Sequence, residues 1–257
     1  MAELARIVER LNSLLEIPAT PDYPPALNGL QFANNGTVQC AAAAVDFSAR
    51  TVRNAVAAGA DLLVVHHGMF WGGAQPITGA RYDAVRDLVR HNVAVYAAHL
   101  PLDRHPTLGN NVLLARALGL EPSRAFGRFQ TIDVGVAGDA DLPTAELEQK
   151  AIAFAGEHGG SSRATAIAEG RRTRRWAIIT GGGASSESLR EAATQGIDTL
   201  IVGEGPHHTA VEAADLGLTV IYAGHYATET LGVQALVRLI ADEFGVPATF
   251  VEAPTGL

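Results

Sequence analysis

Residues 58–65 read AGADLLVV, and residues 195–202 read QGIDTLIV. The same relation appears again downstream, where residues 95–103 (VYAAHLPLD) align with residues 221–229 (IYAGHYATE). In both aligned segments a histidine is followed four residues later by a carboxylate, so the repeat keeps a spacing that suits metal ligands. Repetition of this kind, in the same order along the chain, predicts two similar lobes.

Short apolar runs alternate with helical patterns in each half of the chain. For the first half we expect strands at 41–46, 62–65 and 93–98, and helices at 48–58, 82–90 and 111–118. For the second half we expect strands at 176–180, 199–202 and 218–223, and helices at 185–194, 208–216 and 231–244. Continuous apolar strands separated by helices are typical of mostly parallel sheets covered by helices on both faces.

We therefore predict an α/β fold with two internally duplicated lobes. The N-terminal lobe spans 1–125 and the C-terminal lobe spans 126–257, with an extra strand around 129–136 and a helix from about 143 to 158 inserted in segment 126–169.

Composition excludes several classes of protein. The net charge is −8, which argues against nucleic acid as a partner because phosphate binding needs clustered cations. The only cysteine, Cys40, cannot form an internal disulfide and fits a reducing compartment. Residues 1–16 form an amphipathic pattern rather than a signal peptide, and no stretch reaches the roughly 18 apolar residues of a membrane span. We expect a cytoplasmic protein that does not cross a membrane.

Candidate metal ligands follow the predicted strands. Two histidines follow strand 62–65, and further histidines and carboxylates follow strands 93–98 and 218–223, where α/β sheets bind ligands. The candidates are His66, His67, His99, Asp103, His225 and Glu229. If the lobes pack with a local two-fold relation, these strand ends face each other and the metal site lies between the lobes. Imidazole with carboxylate, without thiolate, favours Zn²⁺, Fe²⁺, Mn²⁺ or Co²⁺ over Mg²⁺ or Ca²⁺.

Six such side chains can hold two divalent metal ions per chain. A two-metal centre lowers the pKa of a bridging water, so metal-dependent hydrolysis of a small molecule or nucleotide is the natural reaction class. Glu204 occupies the position of His67 in the repeat, and with His99 it is a candidate for catalysis, either by moving protons or by supporting a ligand. The alternative is a non-catalytic oligomer that binds metal or regulates a partner.

For each of three further segments, the sequence is consistent with two interpretations. The glycines Gly181 to Gly183 precede a helix and form either an anion cradle or a tight turn. The cluster Arg171 to Arg175 is either a solvated linker before a strand or a phosphate-binding patch. The glycine-rich segment 71–81 is either a mobile lid or a rigid surface loop.

Four motifs resemble a known family. They are residues 28–31 (NGLQ), 59–62 (GADL) leading into His66 and His67, 99–103 (HLPLD) and 224–229 (GHYATE). Together they resemble the dinuclear-metal-centre hexameric proteins, which are also named GTP cyclohydrolase I type 2 homologues or NIF-three-like proteins.

The resemblance implies a ligand arrangement and an assembly. His67 and Asp103 would hold one metal, His66 and His225 the other, and Glu229 would bridge both. The resemblance also implies a homohexameric ring whose metal sites face an interior cavity. The cyclohydrolase name does not identify a substrate, because function does not follow from fold.

Overall fold

The computed structural model describes residues 1–257. The strands are β1 (Ala2–Glu3), β2 (Gly29–Phe32), β3 (Thr37–Val38), β4 (Ala41–Asp46), β5 (Leu62–His67), β6 (Ala94–Ala97), β7 (Arg124–Phe129), β8 (Ile132–Pro143), β9 (Arg163–Ala164), β10 (Arg172–Ile179), β11 (Thr199–Val202), β12 (Thr219–Tyr222) and β13 (Ala248–Phe250). The helices are α1 (Leu4–Leu14), α2 (Ala49–Ala57), α3 (Gly79–His91), α4 (Leu100–Asp103), α5 (Asn110–Ala117), α6 (Thr144–Glu157), α7 (Ser186–Thr194), α8 (His207–Asp215), α9 (His225–Thr228) and α10 (Thr230–Phe244). Two 3-10 turns lie at Ile17–Ala19 and Pro24–Ala26. None of the helices combines the length and apolarity that a membrane crossing requires.

The chain divides into two compact units. The first comprises Met1–Leu102 and Gly232–Ala253, and the second comprises Asp103–Leu231 and Pro254–Leu257. The predicted lobes, 1–125 and 126–257, follow the sequence repeat rather than the contacts, and those boundaries stay a prediction.

The first unit is built on a five-stranded sheet in the order β13-β4-β5-β6-β2. Strands β13, β4, β5 and β6 are parallel, and β2 closes the far edge in the antiparallel direction. Every residue of β5 is buried, as expected for a central strand covered on both faces. One face packs Leu63 and Val65 against α2 and α3 through Val52 and Leu88.

The second unit contains a six-stranded sheet in the order β7-β8-β10-β11-β12-β9, in which β10, β11 and β12 are parallel. Alternate residues along its strands point to opposite faces of the sheet and pack into different hydrophobic cores. Trp176 and Ile178 pack with residues of α5 and α6, whereas Ala177 packs with residues of α7 and α8.

Helix starts match the sequence signals. The Ser48 side chain accepts a hydrogen bond from the Thr51 backbone, and Ser185 does the same with Ser188, so each completes a capping box at α2 or α7. The α/β class and the strands and helices expected in both halves are confirmed, with shifts of a few residues at the ends.

Two local predictions are wrong. The single strand expected around 129–136 is a hairpin, because Gln130 adopts φ 50° and turns β7 back into β8. The Arg171–Arg175 cluster is not a linker, because β10 begins at Arg172. Thr173 is fully buried while the arginines on either side of it are exposed, which is the alternation of a strand with one covered face.

Candidate functional site

In the first unit, a buried histidine pair ends the central strand. His66 and His67 are the last residues of β5 and are 1% and 7% exposed. The parallel register pairs His67 with Asp46, the last residue of β4, and pairs Val65 with Ala97 on β6. The apolar run of β5 is buried in the sheet, and this anchors the two imidazoles at its carboxyl edge.

Hydrogen bonds fix the orientation of both rings. His66 Nδ1 lies 2.8 Å from the Ala98 carbonyl oxygen, and His67 Nδ1 lies 2.9 Å from Asp46 Oδ1. A carbonyl oxygen only accepts, so His66 Nδ1 carries a proton, and this tautomer of the neutral ring has its lone pair at Nε2. Metal-binding histidines show this pattern, in which the other ring nitrogen donates to a carbonyl or carboxylate.

His99 follows β6 and has a buried carboxylate behind it. Its Nδ1 lies 2.9 Å from Oδ1 of Asp22, and Oδ2 of the same carboxylate accepts hydrogen bonds from the Asn28 side chain and the Leu100 backbone. Burial alone would raise the pKa of Asp22, but the hydrogen bond and charge of His99, with the Asn28 and Tyr23 donors, outweigh it and hold the pKa below its usual value.

The three imidazoles form one cluster. The ligand atoms of His66, His67 and His99 all lie within 4.8 Å of one another. Aromatic rings adjoin the cluster: the Trp71 centroid is 4.8 Å from that of His67 and 4.4 Å from that of His99, and Tyr23 lies 6.0 Å from His99.

In the second unit, a short helix after β12 presents His225 and Glu229. His225 Nδ1 lies 2.8 Å from Glu204 Oε1, and His225 Nε2 lies 3.2 Å from Glu229 Oε2. Burial would lower the pKa of His225, but the two carboxylates raise it to about 9. Glu204 follows β11, the parallel neighbour of β12, which explains why it reaches the back of the imidazole.

The first glycine of the triple-glycine loop contacts these side chains. Gly181 has φ +61°, and a β-carbon built there would overlap Glu229 Oε1 and lie 3.2 Å from His225 Nε2. Its amide donates to Thr228 Oγ1, 3.1 Å away. This glycine is therefore required by the close approach of the backbone to the Glu229 carboxylate.

Asp103 is also buried in the second unit, at 7% exposure. Its Oδ1 accepts hydrogen bonds from Asn110 Nδ2 at 2.9 Å and from Thr180 Oγ1 at 3.4 Å. Asn111 reinforces this arrangement, because its amide donates to the Asp103 carbonyl and accepts from the Thr180 backbone. Thr180 and Gly181 are consecutive, so one loop contacts both Asp103 and Glu229.

The predicted residues thus fall into two groups, one in each unit. The first unit brings together His66, His67 and His99, and the second holds Asp103, Glu204, His225 and Glu229. The donors fit divalent transition metals, because imidazole nitrogens with ordered Nδ1 partners stand beside buried carboxylates.

The sequence prediction missed several supporting residues. Asp46 could have been found, because it ends a strand that neighbours the histidine strand. Asp22 lies in an irregular segment far from His99 in the sequence, so no local pattern marks it. Thr180 and Asn110 hold Asp103 through hydrogen bonds that periodicity does not reveal.

Comparison with known proteins places the chain in a family. The model of the Duf34/NIF3 family (NGG1p interacting factor 3) matches residues 2–255. The chain belongs to this family. A relative from Deinococcus radiodurans, named "GTP cyclohydrolase 1 type 2 homolog", is 42% identical over 257 residues, which cover 98% of this chain and 93% of the relative. A protein of the same name from Halobacterium salinarum is 41% identical, covering 99% and 100%.

Two solved structures share the fold of this chain. Protein ybgI, described as of unknown function, superposes with a TM-score of 0.89 at 32% identity over the whole of both chains. The crystal structure of TTHA1606 from Thermus thermophilus gives a TM-score of 0.82, also at 32% identity and full coverage. The family resemblance drawn from the sequence motifs is therefore confirmed.

Proposed function

We propose that this Duf34/NIF3 protein holds two divalent transition-metal ions per chain and uses them to hydrolyse a small molecule or nucleotide. The proposed ligands are His67 and Asp103 for one ion and His66 and His225 for the other, with Glu229 bridging them. This arrangement requires the histidine group of the first unit and the carboxylate group of the second to form one centre.

One observation carries the proposal: four histidines share the same hydrogen-bonding pattern. His66, His67, His99 and His225 each place Nδ1 within 2.8 to 2.9 Å of a carbonyl or carboxylate oxygen. A metal ligand needs such a partner, because the partner selects the tautomer and increases the basicity of Nε2.

The chemistry follows from the residues around the ions. Two divalent ions would supply Lewis-acid activation of a water molecule at neutral pH. Glu204 orients the His225 ring and accepts its Nδ1 proton in a hydrogen bond. Asp22 lies 2.9 Å behind His99 Nδ1 and orients the ring, so we assign His99 the transfer of a proton to the leaving group.

We also propose an organisation for the chain and its assembly. The two units carry copies of one arrangement of strands and helices. Strands β4, β5 and β6 are parallel, as are β10, β11 and β12, and in each unit a capped helix follows the first of these three strands. The chain forms a homo-oligomer, most simply a hexamer, in the cytoplasm. Light scattering coupled to size exclusion tests the assembly, and a monomeric mass at micromolar concentration would contradict it.

Metal analysis is the first experiment. The protein is purified without chelator, reconstituted with Zn²⁺, Mn²⁺ or Fe²⁺, and analysed for metal per chain. We expect two ions in the wild type, loss of both in Glu229→Ala and loss of mainly one in His67→Ala. Arg86→Ala, whose side chain pairs with Asp83 and Asp87 within α3, is the matched surface control. Metal near zero in the reconstituted wild type would overturn the proposal.

A substrate screen then separates the enzyme from the scaffold. GTP, other nucleotides, phosphoesters and cyclic amides are incubated at about pH 7 to 8 with metal-loaded wild type and with Glu229→Ala. Turnover that is present in the wild type and lost with the metal supports the hydrolase. Full metal occupancy without turnover of any compound would favour a non-catalytic metal-binding or regulatory oligomer.

A further inference from the structure

Two large aromatic side chains stand at the histidine cluster without being buried. Trp71 is 37% exposed and Tyr23 is 49% exposed. The other tryptophan, Trp176, is fully buried in the core of the second unit. Exposure of this kind beside three buried imidazoles is not needed for folding, because apolar rings gain stability by leaving water.

The backbone fixes where Trp71 lies. The Trp71 amide donates to the Gly68 carbonyl directly after the histidine pair, and the next turn is closed by the Gly73 amide on the Phe70 carbonyl. Arg81 anchors the start of this segment by donating to the Met69 carbonyl at 3.0 Å. Trp71 is therefore positioned by two consecutive turns, with its ring tilted by 36° over His67.

The two rings form a corner. Tyr23 and Trp71 are nearly perpendicular, at 86°, with centroids 6.2 Å apart, and both adjoin the ring of His99. A flat ring placed in such a corner can stack on one aromatic face while meeting the other edge to face. Both arrangements are favoured by the aromatic quadrupole, and an aliphatic ring gains only area.

The size of the corner limits what it can bind. Two rings with these exposures offer roughly 100 Å² each, whereas a stable protein partner needs about 800 Å² on each side. The corner therefore suits a small molecule, and its position over His67 and His99 lets that molecule reach the proposed metal ligands.

We propose that Trp71 and Tyr23 form a stacking subsite, and that the substrate of this centre carries a planar aromatic or heteroaromatic ring. The inference rests on the proposed metal centre and adds the class of substrate. Trp71 supplies the stacking face and Tyr23 the perpendicular wall, so both act in binding and specificity rather than in the chemical step.

The test uses a matched pair of probes, benzohydroxamate and cyclohexanecarbohydroxamate. Both have the same metal-binding head, and they differ in whether the ring is flat. Dissociation constants are measured by calorimetry on metal-loaded protein, with metal content determined in parallel. We expect the wild type to bind benzohydroxamate about three- to tenfold more tightly than cyclohexanecarbohydroxamate, which corresponds to the usual interaction free energy of an aromatic pair.

Variants of Trp71 and Tyr23 test whether this corner causes the preference for benzohydroxamate. Trp71→Phe keeps an aromatic face and should retain the preference, whereas Trp71→Leu keeps an apolar cover and should lose it. Tyr23→Leu should reduce it. A wild type without metal would overturn both the proposed function and this inference. Metal-loaded wild type that binds the two probes equally, or fails to bind either, would overturn the inference alone. Loss of metal from Trp71→Leu but not Trp71→Phe would also overturn it, because Trp71 would then serve to hold the histidines.

Discussion

Replacing Gly181 by alanine should damage the proposed metal site far more than the fold. Two effects combine at this position: a backbone with φ +61°, and a β-carbon that overlaps Glu229 Oε1. Left-handed backbone costs about 1–2 kcal/mol for an alanine, partly offset by about 0.4–1 kcal/mol from a stiffer unfolded chain. The backbone effect alone should therefore lower the free energy of unfolding by about 0–1.6 kcal/mol.

The overlap acts on the ligand instead. Metal–ligand distances tolerate changes of about 0.2 Å, and the Glu229 carboxylate cannot stay in place when a carbon occupies its position. We expect the affinity for metal to fall by about 10- to 100-fold or more, the range seen when a supporting partner of a ligand is lost.

Two other glycines separate these effects. Gly170 has φ +73° with nothing within 4 Å of the place a β-carbon would take, so Gly170→Ala reports backbone cost alone. Gly182 follows Gly181, has no positive φ, and an added β-carbon there would also have nothing within 4 Å. Gly182→Ala should therefore change neither the metal affinity nor the stability. Chelator competition measures metal affinity, and urea unfolding of the metal-free proteins measures stability. If Gly181→Ala binds metal as tightly as Gly182→Ala, the role assigned to this loop is refuted.

Three further outcomes are expected. Asp46→Ala removes the partner of His67 Nδ1 and should weaken metal binding about 10- to 100-fold, whereas Asp83→Ala on the surface should not; equal affinities would contradict the orienting role. Ser185→Ala deletes a capping box and should lower the Tm by about 2–4 °C, measured by calorimetry against Ser161→Ala, which is exposed and caps no helix. Burial and the charge of Asp61 raise the pKa of the Cys40 thiol, so iodoacetamide at about pH 7.5 should alkylate the folded protein more slowly than the protein in urea; identical rates would show that the thiolate is not disfavoured.

The sequence predicts the central strands of both sheets because their apolar runs are uninterrupted. Leu62 to Val65 and Thr199 to Val202 are buried on both faces, so their composition alone indicates their place. Edge strands are harder to predict. Strand β13 has three residues, and the turn at Gln130 lacks the glycine or asparagine that usually marks a positive φ.

The sequence suggests the proposed ligands of the candidate site but not the residues that hydrogen-bond to them. His66 and His67 end β5, and His225 follows the end of β12 by three residues, so their positions in the sequence indicate the edge of a sheet. Asp22 reaches His99 across 77 positions of the chain, a distance over which no periodicity carries information. The sequence also does not show where the backbone approaches a side chain closely. Three consecutive glycines indicate a turn, and only the folded structure reveals that the first of them makes room for the Glu229 carboxylate.

The return of the chain to its first unit has a consequence for synthesis on the ribosome. Strand β13 completes the first sheet by pairing Ala248 with Ala41, so β4 keeps an open edge until almost the whole polypeptide has emerged. At about 5–20 residues per second this interval is on the order of ten to forty seconds. During that time the second unit, nearly all of it contiguous in sequence, can fold while the first awaits its last strand. Nascent chains that stall before residue 248 should expose a strand edge able to pair with another chain, and this is where chaperone binding is expected to concentrate.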